Sequence, residues 1–121
     1  GMDRKARGLN NYLNGVAAED CVERHYCDAG AKILKRRWRG KSGEVDLIFQ
    51  LGTMFIFVEV KKAENFAAAA FRLSERQMQR IARAAEEFCA STPLGIDADI
   101  RIDVALVNDT SESQIIENVS L

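Results

Sequence analysis

Apolar residues recur at intervals of three and four along residues 7–29, which is the period of an α-helix. Charged residues fill the other side of this predicted helix, although Glu19 falls inside the apolar stripe. Gly15 lowers the helix propensity of its turn by about 1 kcal/mol, so either the helix is weak there or another group lies close to it. The sequence leaves both alternatives open. The residues of the stripe are Tyr12, Val16, Val22 and Tyr26.

After Gly30, which is a natural helix stop, apolar and polar residues begin to alternate in the way that is typical of β-strands. Two of the alternating runs flank a short segment that contains Gly52. This arrangement predicts a β-hairpin, with its turn at either residues 52–53 or residues 51–52. The predicted strands cover residues 31–39, 44–49 and 54–61.

The second half of the chain predicts one more helix and two more strands. Ser74 opens the helix, and Ser74 with Gln77 forms the pattern of a capping box, in which each side chain bonds the backbone of the other residue. Pro93 closes this helix. Its apolar face consists of Met78, Ile81, Ala82, Ala85, Phe88 and Cys89. Alternation predicts the further strands at residues 99–107 and 114–119.

The order α-β-β-β-α-β-β predicts an α/β domain in which helices flank a central mixed β-sheet. Because a strand that follows a long helix usually returns parallel to a neighbour, residues 99–107 should lie beside the hairpin. The length of 121 residues and the hydrophobic content of 47% suit one compact domain, which we place at residues 2–121. Gly1 precedes Met2 and resembles a remnant of cloning, so we exclude it.

Composition argues against several classes of function. Lys and Arg total 17 against 18 for Asp and Glu, so no global field attracts the chain to nucleic acid or anionic lipid, and polyanion binding must be local. The cysteines are odd in number and lack a CxxC spacing, which argues against a disulfide framework and favours a reducing cytoplasm. No segment approaches the roughly 18 to 20 apolar residues of a membrane span, so we expect no membrane partner. Oligomeric state has no signal in the sequence.

The predicted hairpin brings acidic side chains together. Because side chains alternate along a strand, a turn at residues 52–53 places Asp46 opposite Glu59 and Glu44 opposite Lys61. A turn one residue earlier shifts the pairing diagonally, yet both registers leave Asp46 and Glu59 on one side of the sheet. Two facing carboxylates repel each other unless one is protonated or a hard cation neutralises them.

Oxygen ligands without His or Cys suit Mg²⁺ or Mn²⁺, so Asp46 and Glu59 are candidate metal ligands. Lys61 would then orient or help to deprotonate an attacking water, and Glu19 of the first helix would reach in as a third acid. The alternative is a pair of cross-strand salt bridges, Glu44 with Lys61 and Asp46 with an arginine, on a partly wet sheet face. Spacing alone does not decide between the two.

A dense run of cations occupies the first predicted strand and the turn after it. Such a run grips phosphates, and Trp38 within it would stack on a base. The alternative is an edge strand that is protected by charge, with Trp38 in the core. The candidate nucleic-acid contacts are Arg36, Arg37, Trp38, Arg39 and Lys41.

Two motifs of the hairpin, GEVDLIF at residues 43–49 and FVEVK at residues 57–61, resemble those of the YraN-like family of small bacterial proteins. The similarity extends over most of the chain in the same order. Its further segments are residues 15–19, 30–39 and 101–104.

This resemblance implies a restriction-endonuclease-like fold, with Asp46, Glu59 and Lys61 at the D…ExK positions of that nuclease superfamily. It also implies that Glu19 occupies the acidic position of the first helix, as in archaeal Holliday-junction resolvases. At Gln77 the family usually carries a Lys, and here the capping box gives the glutamine a structural role.

The resemblance therefore implies a Mg²⁺- or Mn²⁺-dependent nuclease that hydrolyses DNA, with branched or flapped DNA among the candidate substrates. A second hypothesis keeps the fold without catalysis, as a nucleic-acid-binding or adaptor protein with a vestigial acidic site. A third hypothesis is a protein-interaction module whose acids only pair with Lys and Arg.

Overall fold

The computed structural model describes residues 4–63 and 72–119, and the side chain of Tyr12 lies outside the described part. The predicted α/β class and the order α-β-β-β-α-β-β are confirmed. A short 3₁₀ helix at Gly95–Asp97, which the sequence did not predict, precedes the fourth strand. The elements are α1 (Arg4–Asp28), β1 (Lys32–Arg39), β2 (Glu44–Leu51), β3 (Met54–Lys62), α2 (Glu75–Ala90), β4 (Asp99–Val107) and β5 (Ser113–Ile116).

The strands form one five-stranded sheet in the order β1-β2-β3-β4-β5. The pair β3 and β4 is parallel, and the other neighbours are antiparallel. A parallel pair needs a crossover connection, and the segment that contains α2 supplies it. The prediction that residues 99–107 lie beside the hairpin is confirmed. Among the described helices, none is long and apolar enough to cross a membrane.

The hairpin turn lies at residues 52–53, because Leu51 and Met54 are paired on either side of it. Gly52 has a φ of 62°, a conformation that most side chains avoid and that a type II′ turn requires at its first central position. The structure therefore adopts the first of the two predicted registers.

Both faces of the sheet are covered, which explains why β2 and β3 contain long apolar runs. On one face, α1 packs through Val22 and Tyr26 against residues that include Phe49. On the other face, α2 packs through Ile81 and Phe88 against residues that include Phe57. Alternation along the strands sends neighbouring side chains to the two opposite helices.

Gly15 lies in α1 beside the guanidinium of Arg37, and a Cβ at position 15 would be 3.8 Å from Arg37 Nη2. This separation is an ordinary contact, so the helix has room for a methyl group. We expect Gly15→Ala to raise the free energy of unfolding by about 0.5 to 1 kcal/mol in urea denaturation, because alanine loses less backbone entropy in a helix.

Gly52→Ala is the matched control for this substitution. The positive φ of Gly52 disfavours any side chain, so the change to alanine should lower the free energy of unfolding by about 1 kcal/mol at this position. Equal losses in the two variants would contradict the proposed difference in local conformation.

Candidate functional site

The acidic site lies where β2 and β3 part. Their pairing runs from Leu51 and Met54 to Leu47 and Val58. Beyond that point, β2 continues beside β1 and β3 continues beside β4. Asp46 is the next residue of β2, and its Oδ2 accepts a hydrogen bond from the backbone N–H of Val60 at 2.7 Å. The carboxylate thus bridges the opening and is fixed between the two strands.

Glu59 on β3 is buried, with 8% of its surface exposed. Its Oε1 lies 3.3 Å from Lys61 Nζ and 3.6 Å from Arg80 Nη2 of α2. The cross-strand salt bridge that would join Glu44 to Lys61 is replaced by other partners, since Glu44 binds Arg39. Ion pairs therefore form at this site, and Glu59 lies between the cations of Lys61 and Arg80.

The charged forms of Asp46 and Glu59 are destabilised in the folded protein. Burial is the largest cause that raises the pKa of Asp46, against the opposing effects of the Val60 hydrogen bond and Lys61. Burial also raises the pKa of Glu59, and repulsion from Asp46 raises it further against the attraction of Lys61 and Arg80. A cation between Asp46 and Glu59 would relieve this repulsion.

Glu19 joins the site from α1. Its Oε2 accepts a hydrogen bond from Arg37 Nε at 2.8 Å. Burial raises the pKa of Glu19, and the nearby charge of Asp46 adds to this effect, while Arg37 opposes it. Glu19, Arg37 and Asp46 line a cleft of about 470 Å³. Asp46 is therefore the link among the four candidate catalytic residues, since its charge acts on Glu19 on one side and on Glu59 on the other, and Lys61 acts on both Asp46 and Glu59.

The donor set suits a hard divalent cation that keeps part of its water shell. Carboxylate oxygens are the ligands that Mg²⁺ and Mn²⁺ prefer, and Asp46 and Glu59 supply them where the strands part. Within the described ranges, no group of three or more His, Cys, Asp or Glu side chains is arranged to hold a metal ion. With Asp46 and Glu59 as the candidate ligands, water would have to complete the coordination of such a cation.

The basic run of β1 lies on an edge strand of the sheet. Arg36 forms two hydrogen bonds with Glu23, at 2.7 and 2.8 Å. Trp38 is half-buried and meets Phe88 edge-to-face at a ring distance of 5.7 Å. The indole thus packs into the core between the sheet and α2, which is the structural alternative to stacking on a base.

A family model for the uncharacterised protein family UPF0102 matches residues 18–107. The chain belongs to UPF0102. The match runs from within α1 to the last residue of β4, so it includes Glu19, Asp46, Glu59 and Lys61 and leaves out β5.

Relatives in UPF0102 are similar over nearly their whole length. The protein of Ruegeria pomeroyi is 48% identical over 113 residues, which is 93% of this chain and 92% of the relative. One of Cereibacter sphaeroides is 51% identical over 111 residues, 92% of this chain and 95% of the relative. The Pyrococcus furiosus SfsA structure in complex with Ca²⁺ matches with a TM-score of 0.42 and 18% identity. That match covers 88% of this chain and 62% of the SfsA chain.

Sequence reasoning missed Glu87, which anchors the turn between β1 and β2. Its carboxylate accepts hydrogen bonds from the backbone N–H groups of Lys41 at 2.9 Å and Ser42 at 3.0 Å. These bonds lower the pKa of Glu87, the bond from Ser42 most of all. A Cβ on Gly40 would come within 2.5 Å of Glu87 Oε2 and still closer to the indole of Trp38, so a larger residue there would displace these side chains.

Sequence reasoning also missed Asp103, a fully buried carboxylate of β4 within the UPF0102 match. It accepts hydrogen bonds from Tyr26 Oη at 2.6 Å, from two nitrogens of Arg101 at 2.9 Å, and from Asn118 N at 3.0 Å. Burial and the bond to Asp103 strongly raise the pKa of Tyr26. A single acid inside the apolar run of residues 102–107 was the available signal.

Proposed function

We propose that this UPF0102 protein is a metal-dependent phosphodiesterase of the restriction-endonuclease-like class that acts on DNA in the cytoplasm. The observation that carries the proposal is the pair of desolvated carboxylates, Asp46 and Glu59, at the point where β2 and β3 part. Their positions match the D…ExK pattern of the YraN-like motifs. Branched or flapped DNA is included among the substrates by similarity to Holliday-junction resolvases.

In this proposal, Asp46 and Glu59 hold Mg²⁺ or Mn²⁺ through carboxylate oxygens. The bound cation would supply a Lewis acid and a more acidic water. Lys61, whose Nζ is 3.3 Å from Glu59, places positive charge where charge develops on the phosphoryl oxygens. Glu19 is an accessory acid. The cations proposed to contact nucleic acid are Arg37, Arg39 and Lys41. Two other residues of the basic run are left out, because Trp38 packs against Phe88 and Arg36 does not line the cleft of Glu19 and Asp46.

A second candidate function is that of a nucleic-acid-binding or adaptor protein whose acidic site no longer acts. The observation that favours it is that the acidic side chains already form ion pairs with lysine and arginine residues of the same chain. Glu59 contacts Lys61 and Arg80, and Glu19 contacts Arg37. Side-chain cations that offset the charge of these acids reduce the need for a metal ion at the site.

The test is a titration of Mn²⁺ into wild type, Asp46→Asn and the control Glu44→Gln, followed by cleavage assays on duplex, flap and four-way DNA. We expect Asp46→Asn to weaken Mn²⁺ binding by at least about tenfold and to lose cleavage, since a metal ligand is removed. Glu44, which is exposed and paired with Arg39, should tolerate the same neutralisation of charge.

Each outcome of this test selects one of the alternatives. Equal Mn²⁺ affinity in wild type and Asp46→Asn would exclude the metal site. Metal binding that depends on Asp46, without cleavage of any substrate by wild type, would favour the adaptor. Absence of salt-dependent DNA binding would favour a protein-interaction module, because phosphate contacts weaken as salt increases.

A further inference from the structure

Arg37 has a backbone conformation that sets it apart from the other cations of β1. Its φ is 48°, in the left-handed region. Among the non-glycine residues of the described part of the chain, Ser111 and Asn118 share this feature, and both lie outside strands. A long side chain at this φ costs on the order of 1 kcal/mol, so the surrounding structure must hold Arg37 in place.

Arg37 lies opposite the acidic site in the ladder between β1 and β2. Its neighbours in β1 are paired with β2, Arg36 with Leu47 and Trp38 with Val45, so Arg37 lies at the level of Asp46. Its charge lowers the pKa of Asp46 against the effect of burial. The guanidinium lies at the acidic site, where its Nε donates to Glu19 at 2.8 Å and the side chain lines the same cleft as Asp46.

Two neighbouring arginines of β1 thus bind different carboxylates. Arg37 binds Glu19, whose side chain is 17% exposed, and both line the cleft that contains Asp46. Arg36 forms its two hydrogen bonds with Glu23 and does not line that cleft. The two side chains carry the same charge, so the difference between them is one of position alone.

We propose that Arg37 is a substrate-binding residue that holds a non-bridging oxygen of the phosphodiester at the Asp46–Glu59 site, and that Glu19 is the positioning residue that orients it. This inference rests on the proposed function. A phosphodiester is repelled by the carboxylates of the cleft, and a guanidinium at their level offsets that repulsion. The guanidinium has five N–H donors, so a bond to Glu19 through Nε is compatible with a phosphate contact.

The test compares Arg37→Gln with Arg36→Gln, which removes the same charge from the adjacent residue. One measurement is Mn²⁺ affinity by electron paramagnetic resonance in the absence of DNA. The other is the affinity for a fluorescein-labelled flap DNA with N3′→P5′ phosphoramidate linkages, which resist hydrolysis and keep both non-bridging oxygens, in the presence of Mn²⁺. Circular dichroism establishes that each variant is folded.

We expect the two affinities of Arg37→Gln to change in opposite directions. Loss of a charge-assisted contact should weaken DNA binding by about tenfold or more. Loss of a cation beside Asp46 should tighten Mn²⁺ binding about threefold. A variant that is merely damaged would weaken both affinities. Arg36→Gln should weaken DNA binding about twofold and leave Mn²⁺ affinity within about twofold of wild type, because it removes one distant phosphate contact at most.

The positioning role of Glu19 is tested by rescue with a conservative variant. Glu19→Gln keeps an oxygen that accepts from Arg37 Nε, so its DNA affinity should stay within about threefold of wild type. Glu19→Ala should weaken DNA binding as Arg37→Gln does. If Glu19→Gln lost Mn²⁺ binding to the extent of Asp46→Asn, Glu19 would be a metal ligand and the inference would be wrong.

Failure of this inference is distinct from failure of the proposed function. If wild type binds Mn²⁺ and Asp46→Asn does not, the metal site stands, and equal behaviour of Arg37→Gln and Arg36→Gln overturns the role of Arg37 alone. If wild type binds no Mn²⁺, the proposed function and this inference are overturned together.

Discussion

Replacement of Asp103 by alanine is expected to lower the free energy of unfolding by about 3 to 5 kcal/mol, because it removes a fully buried carboxylate that accepts hydrogen bonds from Arg101 and Tyr26. Arg101 donates two hydrogen bonds to this carboxylate, and Tyr26 and Asn118 donate one each. All four bonds converge on a side chain that has no exposed surface. Urea denaturation followed by circular dichroism measures the loss. The expected loss is a large part of the roughly 5 to 15 kcal/mol that stabilises a domain.

Tyr26→Phe is the matched control for this prediction. It removes one donor and leaves the bonds from Arg101 and Asn118 to the carboxylate intact, so its loss should be only about 1 kcal/mol. If Asp103→Ala fails to fold, Asp103→Asn keeps an acceptor oxygen and should fall between the two. A loss of less than about 1 kcal/mol in Asp103→Ala would mean that the network contributes little beyond its packing.

Replacement of Glu59 by glutamine is expected to stabilise the protein without metal at neutral pH and to reduce DNA cleavage by on the order of 100-fold or more. Burial and the charge of Asp46 raise the pKa of Glu59, even with Lys61 and Arg80 beside it. The folded state therefore binds a proton at Glu59 more tightly than the unfolded state does. The contribution of Glu59 to the free energy of unfolding therefore falls as pH rises from its ordinary pKa of 4.5 through the raised pKa of the folded protein.

The sign of this effect makes the test specific. Glutamine resembles the protonated form, so the stability advantage of Glu59→Gln should be present at about pH 7.5 and vanish at about pH 4, where wild type is itself protonated. Urea denaturation at the two pH values measures it. Glu44→Gln, at an exposed ion pair, should change stability by no more than about 0.5 kcal/mol. A loss of stability in Glu59→Gln at about pH 7.5 would mean that the ion pairs outweigh burial.

Features that depend on neighbouring residues were accessible from the sequence. The turn at residues 52–53 follows from a glycine between two alternating runs, and Gly52 has the φ that this turn requires. The capping box of α2 follows from Ser74 and Gln77, which bond each other's backbone in the structure. The period of the apolar residues likewise located the helices and strands to within a few residues.

Features that depend on distant residues were not accessible. The hydrogen bond from Val60 N to Asp46 requires β2 and β3 to part, and strand parity contains no information on where a ladder ends. Glu87 binds Lys41 and Ser42 from a different element, 46 and 45 residues away along the chain. The distribution of cations among acids, with Arg36 on Glu23 and Arg37 on Glu19, is likewise a property of the assembled layers.

The bond between Tyr26 and Asp103 spans 77 residues, and the core beneath α1 includes Ala105 and Val107 of β4. Because α1 precedes β4 by more than 70 residues, it finds part of its partner surface only after β4 has been synthesised. Long-range closure of this kind slows folding and leaves apolar surface open during synthesis. The apolar face of α1 should thus stay partly exposed until the fourth strand has been made.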